Sequence, residues 1–478
     1  MSRRTRDLIA LASVSCLVAC TQHRLVAPEP APQVTDKGTW IEARGLALDI
    51  VFLVDDSFSM NDKQENLVRN FSRFMRVLED AVPDGETLDA HIAVVSSDLG
   101  VANSTGVDHC STPGGANGAF QSAPRGACAG PRGSFILTNA GGKNFDGDIA
   151  DVFSCIARLG TDGCGFEHQL GALRRALGGD PAAAMPPQNA GFLRPNARLG
   201  LILITDEDDC SAPAGSDLFT PDPAAEAAYG PRDSYRCNEF GHLCGGAPPP
   251  RAVVSGLKCA PNETATSRLV HVRDFVDFFS GLKADPDMLR VAAIAGPPAP
   301  YGTHSVETRT GIETRISPSC TGPSGTGAGD AAPAVRLESF VDAFGDRGLF
   351  ETICAADFGP AMEHIAQSLV TPAAPCIDGR LYDRAPAQPG LQADCNVTER
   401  RPSATDDAPP IDAVVPACDD VSGTPPCWRL SPDARCVGKA AGLAITVDHG
   451  TTPAVPGTRA GWSCRVCLPG VAGAGCAP

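Results

Sequence analysis

The stretch that most constrains this chain runs from Leu48 to Met60 and reads LDIVFLVDDSFSM. From Leu48 to Val54 every residue but Asp49 is apolar, and Ile50, Val51 and Val54 are β-branched. A short run of this kind suits a strand buried on both faces, as in a parallel sheet. Asp55-Asp56-Ser57-Phe58-Ser59 follows at once, a D-x-S-x-S pattern. Asn61 to Val82 then carries Leu67, Phe71, Phe74, Met75 and Leu78, the spacing of an amphipathic helix. A carboxylate and two hydroxyls therefore sit on a strand-to-helix turn. In open α/β sheets, ligands bind at that end of the strands.

A second run, LGLILITDEDDC from Leu199 to Cys210, is also apolar and ends in carboxylates, with Asp206 directly after Thr205. If the two strands are neighbours, Asp55 and Asp206 converge beside Ser57 and Ser59. Such an all-oxygen set suits a hard divalent cation and not zinc: Mg²⁺ first, with Mn²⁺ or Ca²⁺ as alternatives. The plainer reading is that both acidic tips cap helices, since Ser and Asp favour helix N-termini. Two converging tips are harder to explain that way than one.

Strand, Asp55-x-Ser57-x-Ser59, helix, and then Leu201-Ile202-Leu203-Ile204-Thr205-Asp206 resembles a von Willebrand factor type A domain. The resemblance spans roughly residues 46–372, stretched by insertions. It implies a doubly wound, mostly parallel α/β sheet flanked by helices, Rossmann-like in architecture. It also implies a metal-ion-dependent adhesion site, with Asp55, Ser57 and Ser59 as first ligands and Asp206 as the distant acid. Phe58 stands where many members of that family have Gly. The family adds a Thr from a glycine-rich loop, and here the pattern departs. Thr161, in Leu159-Gly160-Thr161-Asp162-Gly163, supplies the chemistry, whereas Glu167 lies nearer the expected place before the following helix. A neutral Thr161 would leave the cation attractive to a partner's carboxylate; Glu167 would make the site net negative. Thr161 is taken as the further ligand, with Glu167 as the alternative.

The N-terminus reads as an export signal over residues 1–20, with Arg3, Arg4 and Arg6 before an apolar run from Leu8 to Ala19. Leu17-Val18-Ala19-Cys20 resembles a bacterial lipobox, in which Cys20 would be acylated. Thr21 follows, rather than an inner-membrane-retaining Asp, so the expectation is an outer-membrane lipoprotein on the periplasmic or cell-surface face. Multiple acyl chains hold a protein stably where one does not. Residues 21–45, with Ala27-Pro28-Glu29-Pro30-Ala31-Pro32, read as a Pro-rich tether.

A formal net charge of −17 argues against a nucleic-acid partner and against docking on an anionic bilayer. Of the 20 cysteines, eighteen remain after Cys16 and Cys20, ten between Cys110 and Cys354 and eight from Cys376 to Cys476. Even numbers in an exported chain read as disulfides, with Cys155–Cys164 and Cys237–Cys244 as attractive local pairs. The single Cys464-x-x-Cys467 is a weak alternative pointer to zinc. Residues 211–266 form a Pro/Gly-rich insertion tied by cysteines. Residues 373–478 read as a small Cys-rich loop or β domain, with strand-like fragments only at Leu443–Val447 and Gly461–Val466.

The sequence holds no G-x-S-x-G, H-E-x-x-H or Walker loop. The expectation is a non-enzymatic, lipid-anchored envelope protein whose cation site binds a protein ligand offering a carboxylate. The alternatives are a metal-dependent hydrolase using Asp55 and Asp206, or a structural envelope protein with a vestigial site.

Overall fold

The computed structural model describes residues 33–41 and 47–476, apart from 83–84, 102–108, 111, 113, 221, 309–310, 323–328, 372–375, 402–410, 434–435, 437, 440, 453, 455–457, 471–472 and 474. Cys20 and the Pro-rich run at 27–32 lie outside the described residues.

The largest sheet holds β1 (Leu48–Val54), β2 (Ala90–Ser96), β3 (Ile136–Asn139), β4 (Gly142–Lys143), β5 (Arg198–Ile204), β6 (Leu289–Ala295) and β7 (Gly348–Thr352), in the order β7-β6-β5-β1-β2-β3-β4. The pairings β7-β6, β6-β5, β5-β1 and β1-β2 are parallel. Those from β2 to β3 and from β3 to β4 are antiparallel. Six helices pack on this sheet: α1 (Asn61–Asp80), α2 (Ile149–Ala157), α3 (Gln169–Ala176), α4 (Val272–Ser280), α5 (Val335–Asp342) and α6 (Gly359–Val370).

Because strand side chains alternate faces, each buried strand feeds two cores. Ile50, Phe52 and Val54 join α1, α2 and α6 on one side, while Val51 and Leu53 join α3, α4 and α5 on the other. The α1 stripe Leu67, Phe71, Phe74 and Leu78 is fully buried. Phe52 sits edge-on to Phe71, Phe74 and Phe153 at centroid distances of 5.7, 5.4 and 4.9 Å. Burying each such ring stabilises the fold by about 1.5–3 kcal/mol. Gly200 lets α6 approach β5: a Cβ there would meet the Leu369 side chain at 2.6 Å. Asp49, the polar exception in β1, is held by the Arg194 backbone and guanidinium, each at 2.7 Å.

Outside this sheet the chain is antiparallel. Gln33–Ile41, Arg459–Cys467, Cys395–Arg401 and Ile411–Val415 form a four-stranded sheet in that order. Cys427–Pro432 pairs with Leu443–Asp448, and Val254–Leu257, Tyr301–Thr308 and Gly311–Ile316 form a third antiparallel group. Ile377, Val397, Ile445 and Trp462 form the core of the C-terminal part.

The expected doubly wound, mostly parallel, Rossmann-like fold of the type A kind is corrected by these pairings. Among the described residues there are six sheets, and four strand pairings are parallel against ten antiparallel. The fold is mixed α/β. The physical reason is that continuous apolar runs announce only strands buried on both faces. Most of the antiparallel ladders, such as Gln33–Ile41, Gly311–Ile316 and Cys395–Arg401, are built from segments interrupted by polar residues and carry no such run. Residues 33–41, expected within the tether, form a strand on the C-terminal sheet.

All eighteen cysteines from Cys110 onward form nine disulfides: five pair residues between Cys110 and Cys354, and four pair residues between Cys376 and Cys476. The expected local pairs are corrected. Cys155 bonds Cys128 and Cys164 bonds Cys110; Cys237 bonds Cys210 and Cys244 bonds Cys259. Cys464 and Cys467 bond Cys395 and Cys476, so neither thiol is left for zinc.

Candidate cation site

The strand register builds the site. Val54 stands opposite Ile204 on one side and Ser96 on the other. The next residue of each chain segment, Asp55, Thr205 and Ser97, therefore meets the others at the carboxyl end of the sheet. Asp55 N donates to the Ile204 carbonyl at 3.0 Å. The Thr205 hydroxyl, which accepts from Gln169 Nε2 at 3.0 Å, turns its proton to Asp55 Oδ2 at 2.6 Å. Asp55 Oδ1 accepts from Ser57 N at 2.8 Å and from Ser97 Oγ at 3.4 Å. Ser57 Oγ lies 3.4 Å from Ser59 Oγ, and Ser59 Oγ donates to Asp206 Oδ1 at 3.0 Å. Four expected residues, Asp55, Ser57, Ser59 and Asp206, thus form one continuous cluster.

Two side chains on the first turn of α1 hold that cluster, and the sequence reading missed both. Gln64 donates to the Asp55 carbonyl at 2.8 Å and to the Gly160 carbonyl at 2.9 Å, while Gly160 N returns a bond to Gln64 Oε1 at 3.1 Å. Lys63, 2% exposed, donates to Asp206 Oδ2 at 2.5 Å, to the Ser59 carbonyl at 3.0 Å and to the Asp330 carbonyl at 3.2 Å. A signal existed: only six of the 39 basic residues are Lys, so a Lys four residues after Ser59 departs from the chain's Arg usage.

The acidic run after β5 gives each carboxylate a separate task. Asp206 faces Lys63. Glu207 lies beside Glu167, whose carboxyl its charge pushes up further after burial has raised it. Asp208 accepts from the backbone N–H groups of Arg336 and Leu337 at the start of α5, and from His242 Nε2 at 2.8 Å. Asp209 receives Leu170 N at the start of α3 and the buried Arg336 guanidinium, at 2.9 Å each. His242 belongs to the 211–266 insertion, so this contact and the Cys210–Cys237 bond fasten the insertion to this end of the sheet.

Burial dominates the electrostatics. It pushes Asp55 up to about 6, with the Asp206 charge adding to the effect. Asp56, also desolvated, rises to about 7 although Ser96 Oγ donates to it at 2.8 Å. Glu207 rises to about 8 through burial and then through Asp206, and Glu167 lies well above the ordinary carboxylate range. Glu167 is close enough to Asp55 for their charges to repel, and no donor group of the described residues reaches its Oε1. Thr161 is half-buried on its loop and shares no hydrogen bond with the cluster. Gly163, two residues on, packs against Asp56, where a Cβ would lie 2.3 Å from Oδ1.

The donor set is oxygen throughout, which fits a hard cation. Among the described residues no group of three or more His, Cys, Asp or Glu side chains is spaced to hold a metal ion. A cation here would depend on the serine hydroxyls and water as much as on carboxylates. Phe58, between those serines, is 83% exposed.

No family model and no curated protein matches the chain. Solved structures similar to it include the adhesive tip pilin of Group B Streptococcus agalactiae, at 10% identity and TM-score 0.27, with 91% of this chain and 82% of that one covered. The pilus adhesin of Streptococcus pneumoniae shows 11% identity and TM-score 0.27, over 91% of this chain and 58% of that one. The human COPII-coat protein Sec24c shows 8% identity and TM-score 0.29, over 94% and 48%. Similarity this low decides neither fold nor function, so the functional reading rests on the residues.

Proposed function

We propose that this chain is an exported, Cys20-anchored envelope protein that binds a protein ligand through a divalent cation held on the Asp55–Asp206 cluster. The carrying observation is the 3.0 Å bond from Ser59 to Asp206 Oδ1. It joins the D-x-S-x-S turn to an acid 147 positions away, so that hydroxyls and carboxylates from two strand ends share one cluster. Asp55, Ser57, Ser59 and Asp206 through Oδ1 are the residues that would hold Mg²⁺, Mn²⁺ or Ca²⁺. Glu167 is better supported than Thr161 as the further ligand, because it lies beside Asp55 and lacks a donor at Oε1. When bound, the cation supplies a positive centre that a partner's Asp or Glu could complete. Nine disulfides support an oxidising compartment. Among the described residues no helix is long and apolar enough to cross a membrane, so the lipid would be the anchor.

One observation favours a second reading. Lys63 already places an ammonium on Asp206 Oδ2, as a cation-free structural link would need. Calorimetric titration with Mg²⁺, Mn²⁺ and Ca²⁺ separates the two. In the binding reading wild type takes up cation, Asp55→Ala abolishes uptake, and Glu167→Gln weakens it more than Thr161→Val. Capture of envelope proteins by wild type should then be lost in chelator. No uptake at millimolar cation, or unchanged uptake by Asp55→Ala, leaves the structural reading standing.

A further inference from the structure

A second site lies away from the cation cluster. Between α3, α4 and the start of the 211–266 insertion is a cavity of ≈ 850 Å³. That size lies within the usual range for small-molecule pockets, about 300–1,000 Å³. Leu99, Phe219, Val270, Phe275 and Phe278 supply apolar wall, and Arg174 and His168 supply polar atoms.

Arg174 is the informative residue. Its guanidinium lies over the Phe275 and Phe278 rings, 5.7 and 5.6 Å from their centroids. It forms no ion pair with any described residue, and its buried Nε has no hydrogen-bond partner. The adjacent Arg175 shows the contrast: it bonds Asp180 at 2.7 Å and Asn117 at 3.1 Å. Leaving a buried donor unmet costs about 1–3 kcal/mol, more when it is charged. That Nε is closed off from solvent, so a carboxylate entering the cavity would meet the Nη1 and Nη2 edge, whose planar fork can donate two parallel N–H bonds.

We propose that this cavity binds a small amphipathic monocarboxylate, with its carboxylate on Arg174 and its acyl or aryl body against Phe219, Phe275 and Phe278. Exposed Asp274 and Asp277 also line the cavity. Their charge disfavours a second carboxylate on the ligand, so the site selects one negative charge and an apolar body. The cation reading plays no part in this argument.

The test uses the purified full chain in chelator, titrated calorimetrically with decanoate, 4-phenylbutyrate, the uncharged decanamide and the dianion sebacate. Decanoate or 4-phenylbutyrate should bind below about 1 mM, with decanamide and sebacate at least about tenfold weaker. Arg174→Met should weaken decanoate by about tenfold or more, and Arg174→Lys, which keeps charge but loses the two-donor fork, by several-fold. The wild-type comparison of decanoate with decanamide needs no variant and decides the matter even if Arg174→Met fails to fold. Equal binding of acid and amide, no binding of either acid at that concentration, or unchanged decanoate binding by folded Arg174→Met would overturn the proposal.

Discussion

Lys63 Nζ lies 2.5 Å from Asp206 Oδ2, with both side chains almost fully buried. Two opposite charges withdrawn from water are tolerable only together, and removing one partner typically costs about 3–5 kcal/mol. Lys63 therefore sets what Asp206 can do. While the ammonium is present, Oδ2 is occupied and Oδ1 alone faces Ser59.

Lys63→Met should therefore behave as a cation-dependent variant. In chelator it should lose about 3–5 kcal/mol against wild type, because the Asp206 charge is left without a counter-ion. Millimolar Mg²⁺ should return part of that loss, since an ion that binds only the folded state stabilises it by mass action. Urea denaturation at neutral pH, with and without Mg²⁺, is the measurement. Equal stability of Lys63→Met and wild type in chelator would show that the pair carries no structural weight.

The disulfides give a prediction about magnitude. A cross-link stabilises chiefly by shrinking the unfolded ensemble, and its effect grows with the logarithm of the loop it closes. Cys395–Cys464 spans 69 positions and Cys418–Cys427 spans nine. Replacing both cysteines of the first pair by Ser should cost about 2 kcal/mol more than doing the same to the second. Thermal or urea unfolding of the two double variants tests this. A reversed order would mean that native contacts around Cys418–Cys427, and not chain entropy, dominate.

What the sequence made legible follows from burial. The apolar runs at Leu48–Val54 and Leu289–Ala295 coincide with strands, and Arg198–Ile204 with the third, because each must be covered on both faces. Asp55 and Asp206 could be paired in advance because two such strands ending in acids had to end at the same edge if adjacent. Gln33–Ile41 was not legible. It is polar and follows a Pro-rich run, and its strand state depends on Arg459–Cys467, more than four hundred residues away. Disulfide partners were hidden for the same reason. Cys164 is near Cys155 in sequence, but α2 carries Cys155 toward Cys128 while Cys164 meets Cys110. Lys63 was hidden by its place on a helix turn that periodicity alone reads as exposed.

The last prediction concerns His168 and acid. Burial lowers its proton affinity to about 4 from an ordinary 6.5, although Asp209 pulls the other way; Arg175 reinforces the lowering. Between those two values the unfolded chain binds a proton that the folded chain refuses. Stability therefore rises with pH across that window and is lost as pH falls through it, by up to about 1.4 kcal/mol per pH unit. Asp56 and Glu207 bend the profile the opposite way, because buried carboxyls with raised affinity hold protons that the unfolded chain has released. Their effect is common to wild type and His168→Gln, so it cancels in the difference between the two. Urea midpoints converted to free energy at half-unit steps from pH 4 to 8 should show a difference that is constant above about pH 6.5. Below that, the variant should gain on wild type by up to about 1.4 kcal/mol per unit. A difference that stays flat from pH 8 to 4 would mean that the imidazole protonates in the fold as readily as in water, and that the cavity at its side is wet.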